Sequence, residues 1–344
     1  MKTKTTATAK SKPTKGAPTL IAKLPGMSYS SHSLAFSPDG AMLASGGHGS
    51  GDRLWRTSDG KQLHALGTDD HVVTGFAFSP DSRRLAVAST GDAVDLWDTT
   101  TGQRVHAIKA KGTSRDIAFS ADGKRFAVAV GKSVLVWDAA TAKQVAKLDH
   151  KAITVGVLFL PDGRLLVRAG KTVVLYDVAT TAAKVTIDHG AGMMTADVSP
   201  DGRAILTAGS KHHARLWDAA TGKAGPVFDE HDENMLYHAS FVGDGKRIVT
   251  VDEENNVRLW DVGTGALAAS WSGSDDGVTA GSWPSPDGAL LAAQFDELHL
   301  IDLADNGVVA KLPFVADENC LAFSPDGSLL AAGSDEAIML WRVR

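Results

Sequence analysis

An all-β chain made of eight four-stranded units is what this sequence predicts, on three observations. The turn Phe36-Ser37-Pro38-Asp39-Gly40 returns as Phe323-Ser324-Pro325-Asp326-Gly327 near the other end, and altered copies fill the interval. Some fifteen residues after each copy stands an aromatic or aliphatic residue, usually followed by Asp, as in Leu96-Trp97-Asp98. The two series run in step. Pro38, Pro80, Ala121, Pro161, Pro200, Gly243, Pro286 and Pro325 mark the turns. Trp55, Trp97, Trp137, Tyr176, Trp217, Trp260, Ile301 and Trp341 mark the strand ends, eight of each at a spacing near forty. A fixed period of this length signals units that bury their faces only against their neighbours.

Each element of the unit follows from local chemistry. In the turn, Pro fixes φ, Asp is accepted next, and Gly takes the left-handed position that lets two strands double back. The second unit shows the rest: strands over Val73 to Phe78, Arg84 to Ala88, Ala93 to Trp97 and Arg104 to Ile108. The first two are apolar on both faces (Val73, Phe76, Phe78; Leu85, Ala86, Val87, Ala88), which calls for cover on both sides. The third alternates more, and the fourth admits Arg104 and His106, so burial falls from inner to outer strand. A sheet of this kind is a propeller blade. The expected fold over residues 19 to 344 is therefore an eight-bladed β-propeller of four-stranded antiparallel blades.

Closure follows from phase. The last unit ends at Trp341-Arg342-Val343-Arg344, before any fourth strand. Thr19 to Leu24 resembles the fourth strands Val309-Ala310-Lys311-Leu312 and Gln144-Val145-Ala146-Lys147-Leu148. The N-terminal strand is expected to complete the last blade and close the ring.

Residues 1–18 stand apart. Lys2, Lys4, Lys10, Lys12 and Lys15 sit among Thr, Ala, Ser, Gly and Pro with no acid. That composition cannot bury enough apolar surface to order itself, so a disordered basic tail is expected. The chain has 35 Lys+Arg against 40 Asp+Glu, and five of those bases lie in the tail, so the body is distinctly acidic. A basic arm can touch nucleic acid or an acidic partner, although a solvated tail is the plainer reading. The single Cys320 excludes an intrachain disulfide framework and suits a reducing compartment. No stretch has the length of a membrane span, and the N-terminal lysines lead into no apolar signal segment. A cytoplasmic location, with no membrane partner, is the expectation.

The Ser-Pro-Asp-Gly turn, the Leu-Trp-Asp strand end, and the Thr-Gly after it in Thr101-Gly102, Thr221-Gly222 and Thr264-Gly265 resemble the WD40-repeat family over about residues 19 to 344. The resemblance implies a non-catalytic protein–protein interaction scaffold, and a ring closed by its N-terminal strand. Departures stand beside it. Arg56 and Arg342 replace the terminal Asp, and Trp283-Pro284-Ser285 reads as one residue too many, a bulge. The family's Gly-His before the first strand is mostly missing. His150 and His189 stand where that His belongs in two repeats; elsewhere the family's structural hydrogen-bond network is expected to be absent or rebuilt. Tyr176 and Ile301 mark the fourth and seventh blades as variants, where looser packing is expected.

No catalytic motif is present: no Gly-x-Ser-x-Gly, no phosphate-binding glycine loop and no His-Glu-x-x-His. Gly46-Gly47-His48-Gly49-Ser50-Gly51 lies between two strands with no helix to receive a phosphate, and reads as a loop. His212-His213 with His231 or His238 could be drawn as zinc ligands. Adjacent strand residues point to opposite faces, however, and no cysteine joins them, so surface histidines are the better reading. Asp275-Asp276-Gly277 lacks the ligand count calcium wants. No cofactor, metal or catalytic residue is called for.

One feature rises above scaffold. In every blade the loop entering the first strand and the loop between second and third strands share one end of the propeller. There the last three repeats place Asp229, Glu230, Asp232, Glu233, Asp252, Glu253, Glu254, Asp275, Asp276, Asp296, Glu297, Asp317, Glu318, Asp335 and Glu336, with no Lys or Arg in the same loops. Phe295 and Phe314 sit among them as apolar anchors. The third to fifth repeats instead supply Lys109, Lys111, Arg115, Lys132, Lys151, Lys171 and Lys211. Acids that merely keep the protein soluble would mix in sign. Segregated charge steers an oppositely charged ligand, and aromatics add affinity. A cationic peptide or protein segment is the expected partner, bound by a monomer, with nucleic acid disfavoured by the acidic body. The rival is a propeller hydrolase or lyase with carboxylates or a metal at the channel mouth.

Overall fold

A computed structural model describes residues 17–26, 33–47, 51–67, 72–190, 192–210, 213–229, 234–272, 282–316, 320–334 and 336–344. The expected basic tail lies outside these residues except for Ala17 and Pro18. The strands form eight four-stranded antiparallel sheets, each one blade of an eight-bladed β-propeller. In the second blade the strands run Val73–Phe78, Arg84–Ser89, Ala93–Asp98 and Arg104–Lys109, within one residue of expectation. The inner strands of blades one to eight are Ser33–Phe36, Val73–Phe78, Ser114–Phe119, Thr154–Phe159, Met193–Val198, Leu236–Val242, Ser282–Pro284 and Leu321–Phe323.

The recurring turn is held by its own side chains. Ser37 Oγ donates to Asp39 Oδ1 (2.6 Å) and accepts from Met42 N (2.9 Å), while Ala41 N donates to Asp39 Oδ1 (3.0 Å). Gly40 sits at φ 70°, the left-handed position the turn requires. The strand-end Asp has a matching task at the turn into the outer strand. Asp218 Oδ1 accepts from Thr221 N (2.7 Å) and Oγ1 (2.6 Å), which explains the paired Thr-Gly. Where Arg56 replaces that Asp, its guanidinium reaches Asp59 instead (2.6 Å), and Asp59 Oδ1 takes the N–H of Lys61 (3.1 Å).

The ring closes as the phase required. Thr19–Pro25 pairs antiparallel with Ala337–Arg342, from Thr19↔Arg342 to Pro25↔Ala337, outside Leu329–Gly333 and Leu321–Phe323. Leu24 is buried with Leu43, Trp55, Ile338 and Leu340, so one strand ties the last blade to the first.

The strand-end aromatics lie in the apolar layers that join the blades. Trp97 packs with Leu54, Leu66 and Leu85, and Trp217 with Leu160, Leu175 and Ile187. Two expectations are corrected. Ile301 is fully buried among Val249, Leu259 and Leu303, so the seventh blade is not loose there; a smaller side chain is met by branched neighbours. Ser282↔Ala293, Trp283↔Ala292 and Pro284↔Leu291 pair without a shift, so Trp283-Pro284 carries no bulge. Tyr176 is half-buried, its hydroxyl-bearing ring set edge-on to His150 at 5.6 Å.

The structural network is present in part. Trp55, Trp217 and Trp260 donate Nε1–H to Ser45, Thr207 and Thr250, each at 2.8 Å. His189 Nδ1 joins Thr207 at 2.9 Å and completes the chain in blade five. In blade two Val87 occupies the hydroxyl position, and the buried Trp97 Nε1 meets no acceptor among the described residues. His150 likewise meets Tyr176 rather than a hydroxyl, because Val167 stands at that position.

Candidate interaction face

The strand directions give the propeller two ends. The Ser-Pro-Asp-Gly turns lie at one, and the blade-to-blade crossings with the second-to-third strand loops lie at the other, the loop end. Of the predicted acids, Asp229, Glu253, Glu254, Asp296 and Glu336 are exposed there, around blades six to eight. Glu297 is half-buried and paired with Lys311 Nζ (3.6 Å). Glu230, Asp232, Glu233, Asp275, Asp276, Asp317, Glu318 and Asp335 lie outside the described residues.

Asp252 is a correction. Its side chain is 0% exposed, Oδ1 accepts from Glu254 N (3.1 Å) and Asn256 N (2.9 Å), and Oδ2 meets Arg258 Nη1 at 2.8 Å. It holds a loop together beneath the face, and a partner cannot reach it. Nothing in the sequence window distinguishes it from Glu253, because the difference is its place at the buried end of Arg247–Asp252.

The aromatic anchors are also modified. Phe295 is half-buried with its ring edge-on to His299 at 5.0 Å, and Phe314 is half-buried against Trp341 at 5.8 Å. Each presents part of a ring. The larger apolar surfaces at the loop end belong to Ile153 (47% exposed), Tyr237 (40%) and Val315 (47%), which the sequence reading passed over. An apolar residue in a polar loop was the available signal for Ile153 and Val315; Tyr237 was hidden inside an apolar strand pattern.

The charge division is softer than the loops suggested, because strand ends contribute. Lys109, Lys111, Arg115, Lys132 and Lys151 are exposed on the opposite arc, but Lys171 pairs with Asp188 at 2.9 Å. Asp149, at the end of Gln144–Asp149, adds another acid there, bound by Ser133 Oγ (2.6 Å) and Lys147 Nζ (2.9 Å). On the acidic arc, Arg258 and Lys311 reach in from strands. Lys211 lies outside the described residues. The acidic arc retains its exposed carboxylates; the basic arc is mixed.

No group of three or more His, Cys, Asp or Glu able to hold a metal occurs among the described residues. Of the imagined zinc set, His213 packs against His189 (5.5 Å), while His238 Nε2 meets Ser240 Oγ (3.2 Å) in an inner strand. His212 and His231 lie outside the described residues.

Eight four-stranded blades, an N-terminal strand closing the last, and Trp–Ser/Thr hydrogen bonds between second and third strands define a closed repeat propeller. The family description "WD domain, G-beta repeat" matches residues 19–56, 60–98, 183–218, 222–261 and 315–342, more than half of the chain, and the protein belongs to the WD40-repeat family. The crystal structure of the C-terminal WD40 domain of Sif2 superposes with a TM-score of 0.81 over 95% of this chain and 98% of that one, at 18% identity. That likeness concerns the fold. No curated protein matches the chain. WD40 propellers are generally protein-interaction scaffolds and typically non-catalytic.

Proposed function

We propose that this WD40 propeller is a non-catalytic, monomeric, cytoplasmic platform that binds a cationic peptide or protein segment on the acidic arc of its loop end. The observation that carries the reading is that Asp229, Glu253, Glu254, Asp296 and Glu336 are all exposed at the loop end of blades six to eight, the end that also exposes Tyr237 and Val315. Exposed carboxylates attract a basic segment over distance, and exposed ring and aliphatic surface at the same end can hold it by burial. The lysine-rich N-terminus joins Thr19, which pairs with Arg342 at the turn end, away from this arc.

Affinity capture tests the reading, using the whole chain and a variant with Glu253→Gln, Glu254→Gln, Asp296→Asn and Glu297→Gln. Captured partners are expected to present lysine- or arginine-rich segments and to be lost from the variant. An identical captured set would sink the proposal.

A further inference from the structure

A second charged surface lies at the loop end, on blades two to four. The crossing from blade two to blade three carries Lys109, Lys111 and Arg115, the loop between second and third strands of blade three carries Lys132, and the crossing from blade three to blade four carries Lys151. All five are exposed. Every Glu of the chain stands at or after Glu230, so these blades hold none. Sign is already segregated along the sequence.

Backbone hydrogen bonds lace these loops into one piece. Gly131 N donates to Thr113 O (3.3 Å), Thr154 N to Gly131 O (2.7 Å) and His150 N to Lys132 O (2.8 Å). Arg115 is the residue that a register shift between Ser114 and Asp116 leaves without a partner across the ladder, and its side chain is exposed. Ile153 shares the loop of Lys151. Its carbonyl accepts from Gly170 N (3.2 Å), and the next residue is anchored by Thr154 Oγ1, 3.1 Å from both Gly131 O and Ser133 O. Pinned on both sides, Ile153 is held out of the core and stands 47% exposed.

The nearby carboxylates are engaged by other groups. Asp92 Oδ1 accepts from Gly112 N (2.7 Å), and Asp149 is held by Ser133 Oγ (2.6 Å) and Lys147 Nζ (2.9 Å). Asp188 is held by Gly190 N (2.8 Å) and Lys171 Nζ (2.9 Å), and Asp116 by Ile117 N (2.8 Å) and Val157 N (2.9 Å). None of the five bases has a carboxylate within ion-pair distance among the described residues. Like charges fixed on one laced surface repel, and an anionic partner relieves that repulsion.

We propose that this surface docks an acidic peptide segment, its carboxylates on Lys111, Arg115, Lys132 and Lys151 and an apolar side chain on Ile153. The chemistry favours a peptide over a nucleic acid on two counts. Single-stranded bases bind by stacking on aromatic rings, and these loops hold no Phe, Tyr or Trp. A long polyanion would also run on toward the acidic arc of the same end, which a short segment does not reach. The partner differs from the cationic segment of that arc, and either surface can be filled without the other.

The test is fluorescence anisotropy of the peptide acetyl-Glu-Asp-Leu-Glu-Asp-amide, carrying a net-neutral dye, titrated with the whole chain at low salt. Its uncharged counterpart, acetyl-Gln-Asn-Leu-Gln-Asn-amide, is the control. Saturable binding with a Kd of about 1 mM or tighter is expected for the acidic peptide, and at least about tenfold weaker binding for the control. A variant with Lys111→Gln, Arg115→Gln, Lys132→Gln and Lys151→Gln is expected to lose at least about tenfold. Ile153→Ser should weaken binding several-fold without changing its salt dependence, and it serves if the four-site variant fails to fold. The acidic-arc variant should bind at least as tightly as the parent. No saturable binding, equal affinity for the control, or full affinity in a folded four-site or Ile153→Ser protein would overturn the proposal. Weaker binding by the acidic-arc variant would also overturn it. A short single-stranded oligonucleotide that binds more tightly than the peptide, and is lost in the four-site variant, would give the surface to nucleic acid instead. A dimer of the whole chain in sedimentation that the four-site variant loses would give it to a second copy, and either result refutes the peptide.

Discussion

Deleting residues 1–24 should cost far more than deleting residues 1–18, and the difference can be worked from the closing strand. Leu24 is buried, and Ile21 and Ala22 pack on the same cluster as Trp55, Ile338 and Leu340. Returning a buried Leu to water costs about 1.5–3 kcal/mol, and the half-buried Ile and Ala add about 1–2 kcal/mol. The ladder from Leu20↔Trp341 to Leu24↔Ile338 is lost as well, against chain entropy regained. A net loss of about 3–5 kcal/mol results. Unfolding entropy of about 2.1 cal/mol/K per residue gives about 0.7 kcal/mol/K for this chain, so melting should fall by about 4–7 °C. Scanning calorimetry of the whole chain and both truncations reads the shift directly. The longer truncation should also scatter light on heating, since Ala337–Arg342 becomes an open edge. Equal melting of the two truncations would refute closure by this strand.

The remaining predictions concern buried hydrogen bonds and titration. Thr207→Val removes the hydroxyl that accepts from Trp217 Nε1 and hydrogen-bonds His189 Nδ1, and should cost about 1–3 kcal/mol in denaturant unfolding. Trp97→Ala should cost about 3–5 kcal/mol by the same measurement, because the ring is buried between blades one and two. Burial raises the Asp116 carboxyl to about 6, above its unfolded value of 3.8, so its contribution is present in acid and lost as pH rises through that window. His238 is lowered to about 4 from 6.5, so its contribution is present above 6.5 and lost as pH falls toward 4. Unfolding measured from pH 4 to 7 should therefore lose a falling slope in Asp116→Asn and a rising slope in His238→Gln.

The fold was legible because the period, the turn and the strand end are each local. Ser37-Pro38-Asp39-Gly40 encodes a hairpin whatever lies around it, and eight copies leave one way to bury the apolar inner strands. The site was legible only in outline. Glu253 and Asp252 are neighbours in sequence, yet one is exposed and the other buried on Arg258, a difference set by where the strand ends. Lys171 looked unopposed until Ala182–Asp188 brought Asp188 across to it. Contacts between inner strands were invisible, because Asp197 and Phe241, like His238 and Trp283, are about forty-five residues apart and meet only when blades are set side by side. Phe295 and Phe314 read as loop aromatics, but each borders a core that tertiary packing provides.

The central claim is that exposed carboxylates on blades six to eight recruit a cationic segment. Stopped-flow association of a fluorescent lysine-rich peptide with the whole chain, measured from low to physiological salt, tests it most directly. The Debye length shrinks to about 8 Å over that range, so the association rate should fall steadily. In the variant carrying Glu253→Gln, Glu254→Gln, Asp296→Asn and Glu297→Gln the rate should be lower and nearly flat with salt, while its melting changes little, since exposed charges and surface pairs such as Glu297 with Lys311 contribute at most about 1 kcal/mol each. Tyr237→Ala should speed dissociation and leave the salt slope unchanged. Association of the peptide with the neutralised variant at the parent rate and with the parent salt dependence would contradict the account.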